Sequence, residues 1–99
     1  MARYDAYEVR GNPGYLLDVQ ADVLDQLQTR VVIPLQLLGK APQTADRLNP
    51  RLRVGDQTVI LATQFISAIP RRSLSKPVDH LGHFADDIQN ALDFLLIGF

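Results

Sequence analysis

The sequence has no cysteine, almost no net charge and no long hydrophobic run. Without cysteine, disulfide frameworks and thiolate metal sites are excluded, which is compatible with a reducing compartment. The formal net charge of -1 creates no overall field that draws the chain to nucleic acid or to a membrane. No apolar run approaches the roughly 20 residues of a membrane span, and the start has no apolar segment typical of a secretion signal. We therefore expect a cytoplasmic protein with no membrane partner.

The hydrophobic fraction of 46% in 99 residues indicates a folded globular chain rather than a disordered one. This length predicts one domain over residues 1–99. Such a domain is large enough for a hydrophobic core but small enough that an oligomer would help to stabilise it.

Two short runs near the start predict a hairpin. The runs are Arg3 to Val9 and Tyr15 to Gln20, and the turn signal between them is Gly11 to Gly14. In the second run apolar and polar residues alternate with a period of two, with Asp18 and Gln20 on the polar side. This pattern is typical of a half-buried strand.

The most strand-like run of the sequence is Val31 to Leu38. Pro34 lies inside it, and because proline has no N–H to donate, we expect it at a sheet edge or a bulge. Before this strand, the segment around Leu24 and Leu27 fits either a helical turn or a loop. After it, Gly39 to Arg47 is polar and contains a proline, which predicts a loop or a small excursion.

A second hairpin is predicted around Gly55-Asp56, which supplies its turn. From Leu48 to Val54 the apolar residues alternate strictly with polar ones, so one face is buried and the other displays Arg51 and Arg53. Thr58 to Ala62 forms the returning strand. Further along are a short strand, Ser67 to Pro70, a connector with two basic residues, Arg71 to Pro77, and a lead into the last element, Val78 to His83.

The last stretch, Asp86 to Phe99, is predicted to be a helix with an anomalous tip. One stripe at helical spacing should face the core, and it consists of Phe84, Ile88, Ala91, Leu92 and Leu95. Ile97 instead falls on the polar side, and Phe94, Leu96 and Phe99 add apolar surface close to the end. Such a tip is either buried in a dimer or offered to a partner. Short strands followed by one helix predict a compact antiparallel sheet or small barrel closed by a terminal helix.

Candidate chemical sites are few. His80 and His83, with Asp87 four residues on, could ligate a metal from one helical face, but Gly82 weakens the helix there and no fourth ligand is apparent. The exposed arginines are ordinary solvated side chains unless a partner presents phosphate or acidic groups to them. The sequence contains no nucleophile elbow, P-loop or dinucleotide fingerprint.

Three strings carry a resemblance to a known family. They are LDVQADVLD at Leu17 to Asp25, TRVVIPL at Thr29 to Leu35, and DIQNALDFL at Asp87 to Leu95, with Gly98 next to last. Together they closely resemble the CcdB family of toxins, in collinear order over almost the whole chain, with a one-residue adjustment near Tyr4 to Tyr7. The resemblance implies a mainly β fold, namely an SH3-like antiparallel barrel with a small extra sheet and a C-terminal helix, as in CcdB and MazF.

The resemblance also implies a function. CcdB-like proteins are homodimeric toxins of type II toxin–antitoxin systems that poison DNA gyrase by binding its A subunit. They have no catalytic site, cofactor or metal. A CcdA-like antitoxin neutralises them through a disordered tail, and the complex represses its own operon, so operator DNA is bound only as part of that complex. The gyrase-binding positions of the family map onto Ala21, Val23, Asp93, Ile97, Gly98 and Phe99. We expect Leu95 to lie in the dimer interface.

Two departures from the family pattern bear on that function. A well-known member ends in Trp-Gly-Ile, whose tryptophan stacks on a gyrase arginine, whereas this chain ends Ile97-Gly98-Phe99. An acidic residue early in the terminal helix of that member is Ala85 here. Both departures predict a weakened or retargeted interaction with gyrase.

Two alternatives remain open. One is a MazF-like endoribonuclease toxin, because the CcdB barrel resembles that of MazF-like enzymes. Its acid, base and basic groups would come from Asp18, Asp22 or His83 together with Arg30 or Arg53. The other is a non-toxic, antitoxin-binding corepressor.

Overall fold

A computed structural model of the chain describes residues 1–39 and 46–99. Within these ranges the chain forms seven strands, four short 3₁₀ turns and one α-helix. The strands are β1 (Asp5–Glu8), β2 (Tyr15–Asp18), β3 (Thr29–Leu37), β4 (Arg51–Val54), β5 (Gln57–Leu61), β6 (Ser67–Pro70) and β7 (Pro77–His80). The 3₁₀ turns are η1 (Asp22–Leu24), η2 (Thr63–Phe65), η3 (Arg71–Ser73) and η4 (Gly82–Phe84), and the helix is α1 (Ala85–Leu96).

All the strands pair in antiparallel fashion in one curled sheet. The hydrogen-bonded order is β4-β5-β3-β2-β1-β7, and β6 pairs with β3 as well. β6 pairs with the first half of β3, and β5 pairs with the second half. Because η2 joins β5 to β6, the sheet bends along β3. The N–H of Gly55, in the β4–β5 turn, donates to Asp79 of β7 at 2.9 Å, so the two ends of the strand order come together. This half-barrel with its terminal helix confirms the predicted fold class.

Both predicted hairpins are confirmed. β1 pairs with β2, and β4 pairs with β5 through the two-residue turn Gly55-Asp56. Gly55 has a φ of +57°, a left-handed conformation that glycine adopts at little cost. The segment after β2, which the sequence left open, begins with the helical turn η1. The predicted excursion from Gly39 to Arg47 lies mostly outside the described residues.

The expectation that Pro34 lies at an edge or a bulge is wrong. β3 is an inner strand, and Pro34 pairs with Leu16 of β2. Its carbonyl accepts a hydrogen bond from the N–H of Ala62 at 2.9 Å. In a strand the N and O atoms of one residue face the same neighbour, so the missing N–H of Pro34 faces the place where β6 gives way to β5. No ladder hydrogen bond is lost there.

The sheet buries apolar side chains on both of its faces. The larger cluster joins the sheet to the helix, and its fully buried members include Leu17, Ile33, Leu35, Leu61 and Ile88. The smaller cluster consists of Tyr7, Val32 and Leu74, with Leu16 and Ile69 against it. The half-buried pattern predicted for β2 is therefore wrong, since Asp18 and Gln20 are buried on this second side.

α1 begins one residue earlier than predicted and buries the central residues of the predicted stripe. Ile88, Ala91 and Leu92 are buried, whereas Phe84 and Leu95, at the two ends of the stripe, are only half-buried. No side chain caps the first turn, but the carboxylates at its second and third positions complement the positive end of the helix dipole. No helix within the described ranges is long and apolar enough to cross a membrane.

The segment before the helix contains a strand that the sequence pattern missed. β7 pairs with β1, and its alternation is obscured because it is only four residues long and begins with a proline. Leu81 then donates its N–H to the carbonyl of Tyr4 at 2.8 Å, which extends this contact toward η4.

Candidate functional site

The end of the helix is an exposed apolar tip. Leu96, Ile97 and Phe99 expose 73%, 61% and 77% of their surface. Gly98 has a φ of +97° and donates its N–H to the carbonyl of Phe94 at 3.1 Å, which is the geometry of a left-handed helix cap. The conformation, rather than lack of space, requires glycine, because a Cβ at this position would meet nothing within 4 Å.

The residues just before the tip are better covered. Phe94 is half-buried, and the guanidinium of Arg47 lies 4.6 Å from its ring centre, in cation–π geometry. Leu95 is half-buried on the same helix. Its expected role in a homodimer stays a prediction.

A second exposed apolar feature is the η1 turn. Val23 exposes 86% of its surface, and Ala21, just before the turn, is exposed as well. Leu24 and Leu27 are also exposed, although by only about half. The family resemblance selects Ala21 and Val23, and the structure places both at the surface, where a partner could contact them.

The η1 turn and the helix are connected by a chain of hydrogen bonds, here called the Arg3 linkage. The backbone N–H of Arg3 donates to Asp22 Oδ1 at 2.8 Å, and its Nη2 donates to Gln89 Oε1 at 3.0 Å. Gln89 Nε2 in turn donates to Asp93 Oδ1 at 2.9 Å. The structure therefore joins the turn that carries Val23 to the helical position Asp93. Reasoning from the sequence missed Arg3 and Gln89, since no local pattern relates residues so far apart.

The other side of η1 is anchored to the sheet by charged groups. Asp25, next to the turn, accepts a hydrogen bond from Arg30 Nη1 at 3.1 Å on its carboxylate. Its carbonyl accepts a second one from Arg71 Nη1 at 2.6 Å. Gln20 Nε2 donates to the carbonyl of Leu24 at 3.0 Å. These bonds hold the turn to β2, β3 and η3.

Behind the turn lies a fully buried ion pair. Arg30 donates from Nε to Asp18 Oδ2 at 2.8 Å, and neither side chain is exposed. Burial raises the pKa of Asp18, although the hydrogen bonds from Gln20 N–H and from Arg30 act to lower it. Because both groups are sealed from solvent, they cannot touch a substrate, and their role is to hold β2, β3 and η1 together.

Tyr7 lies on the same side of the sheet. Its hydroxyl is buried and has no hydrogen-bond partner within the described part of the chain. Burial raises the pKa of this hydroxyl to about 12, and the negative charges of Asp5 and Asp18 act in the same direction. The phenol therefore stays neutral at physiological pH.

We expect Tyr7→Phe to stabilise the protein. At neutral pH the free energy of unfolding should rise by on the order of 1 kcal/mol, because an unpaired buried hydroxyl is removed. The parent should also lose stability as the pH rises from 10 toward 12, since its unfolded state ionises Tyr7 first, and this loss should be smaller in the variant. Urea unfolding at pH 7 and at pH 11 measures both effects. Lower stability of the variant at pH 7 would show that the hydroxyl has a partner.

The structure separates the residues considered for a metal site. His80 lies in β7, where its Nδ1 is 2.9 Å from Asp5 Oδ1, whereas His83 lies in η4 and Asp87 in α1. The expectation of one shared helical face is wrong, because the helix begins only after both histidines. No group of three potential ligands occurs within residues 1–39 and 46–99.

The residues considered for RNA cleavage are not assembled either. Asp18 and Arg30 pair with each other in the interior, as described above. Asp22, His83 and Arg53 are exposed, in η1, η4 and β4 respectively. No hydrogen bond or ion pair of the described residues connects any two of these three.

Apart from Arg47, which lies over the ring of Phe94, the exposed arginines of the described residues fall into two groups. Arg51 and Arg53 project from β4 on the side opposite the buried Leu52 and Val54, as predicted. Arg10 and Arg72 line an open concavity of about 750 Å³, together with Glu8, Ser73 and Ser75. Arg71, by contrast, is turned to Asp25. Both groups offer cations to an acidic partner.

Comparisons with known proteins agree with this architecture. A family model described as CcdB protein matches residues 3–98 of the chain. Among solved structures, a similar fold occurs in an endoribonuclease in complex with its cognate antitoxin from a mycobacterial species. The TM-score is 0.79, the sequence identity is 15%, and the match covers 97% of this chain and 94% of that one. At this identity, the structural likeness shows the fold alone.

Proposed function

The chain belongs to the CcdB family, and from that premise we propose that it is the toxin of a type II toxin–antitoxin system that poisons DNA gyrase through its A subunit. It acts by binding and not as an enzyme. The observation that carries the proposal is that Val23, Ile97 and Phe99, three positions that the family resemblance assigns to gyrase binding, are all more than half exposed. Apolar side chains so exposed are suited to burial against a partner.

The tip lacks one contact that a tryptophan-ending member of the family makes. Ile97 is aliphatic and cannot make a cation–π contact, which is worth about 0.5 to 2 kcal/mol. Phe99 supplies a ring two residues further on, beyond the turn that Gly98 makes. Ala85 stands where that member has an acidic residue, although Asp86 and Asp87 follow it in the first turn of the helix. We therefore expect weaker poisoning than a tryptophan tip gives.

The proposal includes a homodimer and an antitoxin. Leu95 and the neighbouring Leu96 would meet their symmetry mates, which hides apolar surface that one chain leaves open. A CcdA-like antitoxin would bring a disordered, acidic segment to the exposed arginines, for which Arg53 of β4 and Arg72 of η3 are available. The complex would then bind operator DNA and repress its own operon.

The endoribonuclease alternative has one observation in its favour, the fold that this chain shares with an endoribonuclease that binds an antitoxin. Against it stands the scatter of the candidate residues, because catalysis needs acid and base within reach of one phosphate. In the corepressor alternative, the protein binds the antitoxin but acts on neither gyrase nor RNA.

One experiment separates the three. Purified protein is incubated with gyrase, plasmid DNA and ATP, and separately with RNA alone. A gyrase poison gives cleaved DNA only when gyrase is present and leaves RNA intact. RNA cleavage without gyrase would support the enzyme instead, and inactivity in both assays together with antitoxin binding would support the corepressor.

A further inference from the structure

The Arg3 linkage is the one hydrogen-bonded connection between η1 and α1 within the described residues. The other hydrogen bonds of Ala21 to Asp25 run inside the turn, to the nearby Gln20 and Leu27, to Arg30 of β3 and to Arg71 of η3. The sheet therefore fixes the turn from behind, whereas Arg3 fixes its placement beside the helix. Within the described residues, the exposed η1 turn and the helix that carries the exposed tip share this single hydrogen-bonded link.

The backbone next to Arg3 is bent in a way that costs energy. Tyr4 has a φ of +74°, and it is the one non-glycine residue with positive φ in the described ranges. Such a conformation persists only where the surroundings enforce it, and it is a frequent feature of functional positions. Hydrogen bonds on both sides enforce it here, because Tyr4 N–H donates to the backbone carbonyl of Asp18 at 2.6 Å and the Tyr4 carbonyl accepts from Leu81 N–H at 2.8 Å.

This bend lets Arg3 contact both the η1 turn and the helix α1. The N–H of Arg3 bonds to Asp22 while its side chain reaches Gln89. The guanidinium also lies 4.8 Å from the centre of the Tyr4 ring, and Arg3 is half-buried. A guanidinium held at a ring face and at an amide oxygen has lost much of its rotational freedom, so the linkage is rigid.

We propose that Arg3 is a positioning residue that fixes the η1 turn and the helix tip as one preorganised binding surface. The inference rests on the proposed function, because it concerns the surface assigned to gyrase. A partner that must contact Val23 and the tip together binds more tightly when their spacing is already set, since less ordering remains to be done on binding. Arg3 itself need not touch the partner.

The test removes the guanidinium and keeps the backbone bond. Arg3→Met retains an unbranched apolar side chain and the N–H to Asp22 but loses the donor to Gln89. Arg10→Met is the matched control, because it makes the same charge change at an exposed arginine that has no ion-pair partner within the described chain. Arg3→Lys keeps one charged donor, so its hydrogen exchange and gyrase affinity should lie between those of the parent and those of Arg3→Met.

Two measurements test the Arg3 linkage and gyrase binding separately. The first, amide hydrogen exchange of the free protein, needs no gyrase: Leu24 and Asp25, whose N–H groups donate within the turn, should exchange faster in Arg3→Met but not in Arg10→Met. The second is the affinity for the purified A subunit of gyrase, which should fall about tenfold in Arg3→Met and remain within about twofold in Arg10→Met. In Arg3→Met, dimerisation, antitoxin binding and the midpoint of thermal unfolding should change little.

Each outcome is decisive. Unchanged exchange in Arg3→Met overturns the linkage. Faster exchange with unchanged gyrase affinity overturns the positioning role while the gyrase site stands. If the parent itself is folded and yet does not bind the purified gyrase protein, the proposed function fails, and the positioning role for this target fails with it.

Discussion

Deletion of Ile97, Gly98 and Phe99 should abolish gyrase poisoning while the protein remains folded. The side chains of Ile97 and Phe99 are mostly exposed, and the buried part of the helix ends at Leu92, so the deletion takes little from the core. If both side chains are anchors, each contributes about 2 kcal/mol or more to binding, and the loss should exceed about 100-fold. The measurement is cleaved-complex formation and supercoiling inhibition with purified gyrase of the cognate host.

The controls for the deletion test whether the tip is a specific binding site or only exposed apolar surface. Val78→Ser removes an apolar side chain that is 47% exposed in β7, away from the tip, and should poison like the parent. The deletion variant should still dimerise and bind the antitoxin, and its urea midpoint should stay close to that of the parent. Equal poisoning by the deletion variant and the parent would rule the tip out.

The substitution Ile97→Trp sharpens the same prediction by restoring the ring that the family pattern has. If the tip meets the same gyrase surface, the variant should poison at least as strongly as the parent, because a cation–π contact adds about 0.5 to 2 kcal/mol. Lower activity with an intact dimer would show that Ile97 and Phe99 are seated differently on gyrase.

Much of this fold follows from local patterns in the sequence. The alternation from Leu48 to Val54 predicts which face of β4 is buried, and the helical stripe predicts Ile88, Ala91 and Leu92 as core residues. The pattern fails where a side chain is buried by a distant segment. Asn49 interrupts the alternation because its Nδ2 donates to the carbonyl of Leu61 and to Gln64 Oε1, and these two bonds offset part of the cost of burying the amide. Its Oδ1 has no hydrogen-bond partner among the described residues.

One part of the candidate site could likewise be predicted from the sequence, and another part could not. The exposure of the tip could be predicted, because Ile97 falls off the apolar stripe and near the chain end. The Arg3 linkage could not, since the hydrogen bond from Arg3 to Gln89 spans 86 residues of sequence and depends on the bend at Tyr4. A lone arginine near the start of a chain carries no local signal of what it will contact.

The buried pair behind η1 leads to the prediction with the largest effect on stability. Arg30→Met should lower the free energy of unfolding at pH 7 by about 3 to 5 kcal/mol, because it leaves Asp18 buried without its counter-ion. It also removes the hydrogen bond from Arg30 to Asp25, which helps to hold the η1 turn. Since small domains are stable by only about 5 to 15 kcal/mol, urea unfolding should show this loss directly.

The pH dependence and a double variant identify the buried charge as the cause. Without Arg30 the pKa of Asp18 is raised further, because the arginine no longer opposes the effect of burial. A group whose folded pKa exceeds its unfolded value favours the folded state below the unfolded pKa, and this contribution is lost as the pH rises through the folded pKa. The stability deficit of Arg30→Met should therefore shrink as the pH falls from 7 toward 4.

The double variant Asp18→Asn, Arg30→Met removes the buried charge as well. At pH 7 it should recover at least about 1 kcal/mol of the free energy of unfolding that Arg30→Met loses. An equal or larger loss in the double variant would show that packing of Arg30, and not charge, maintains this part of the fold.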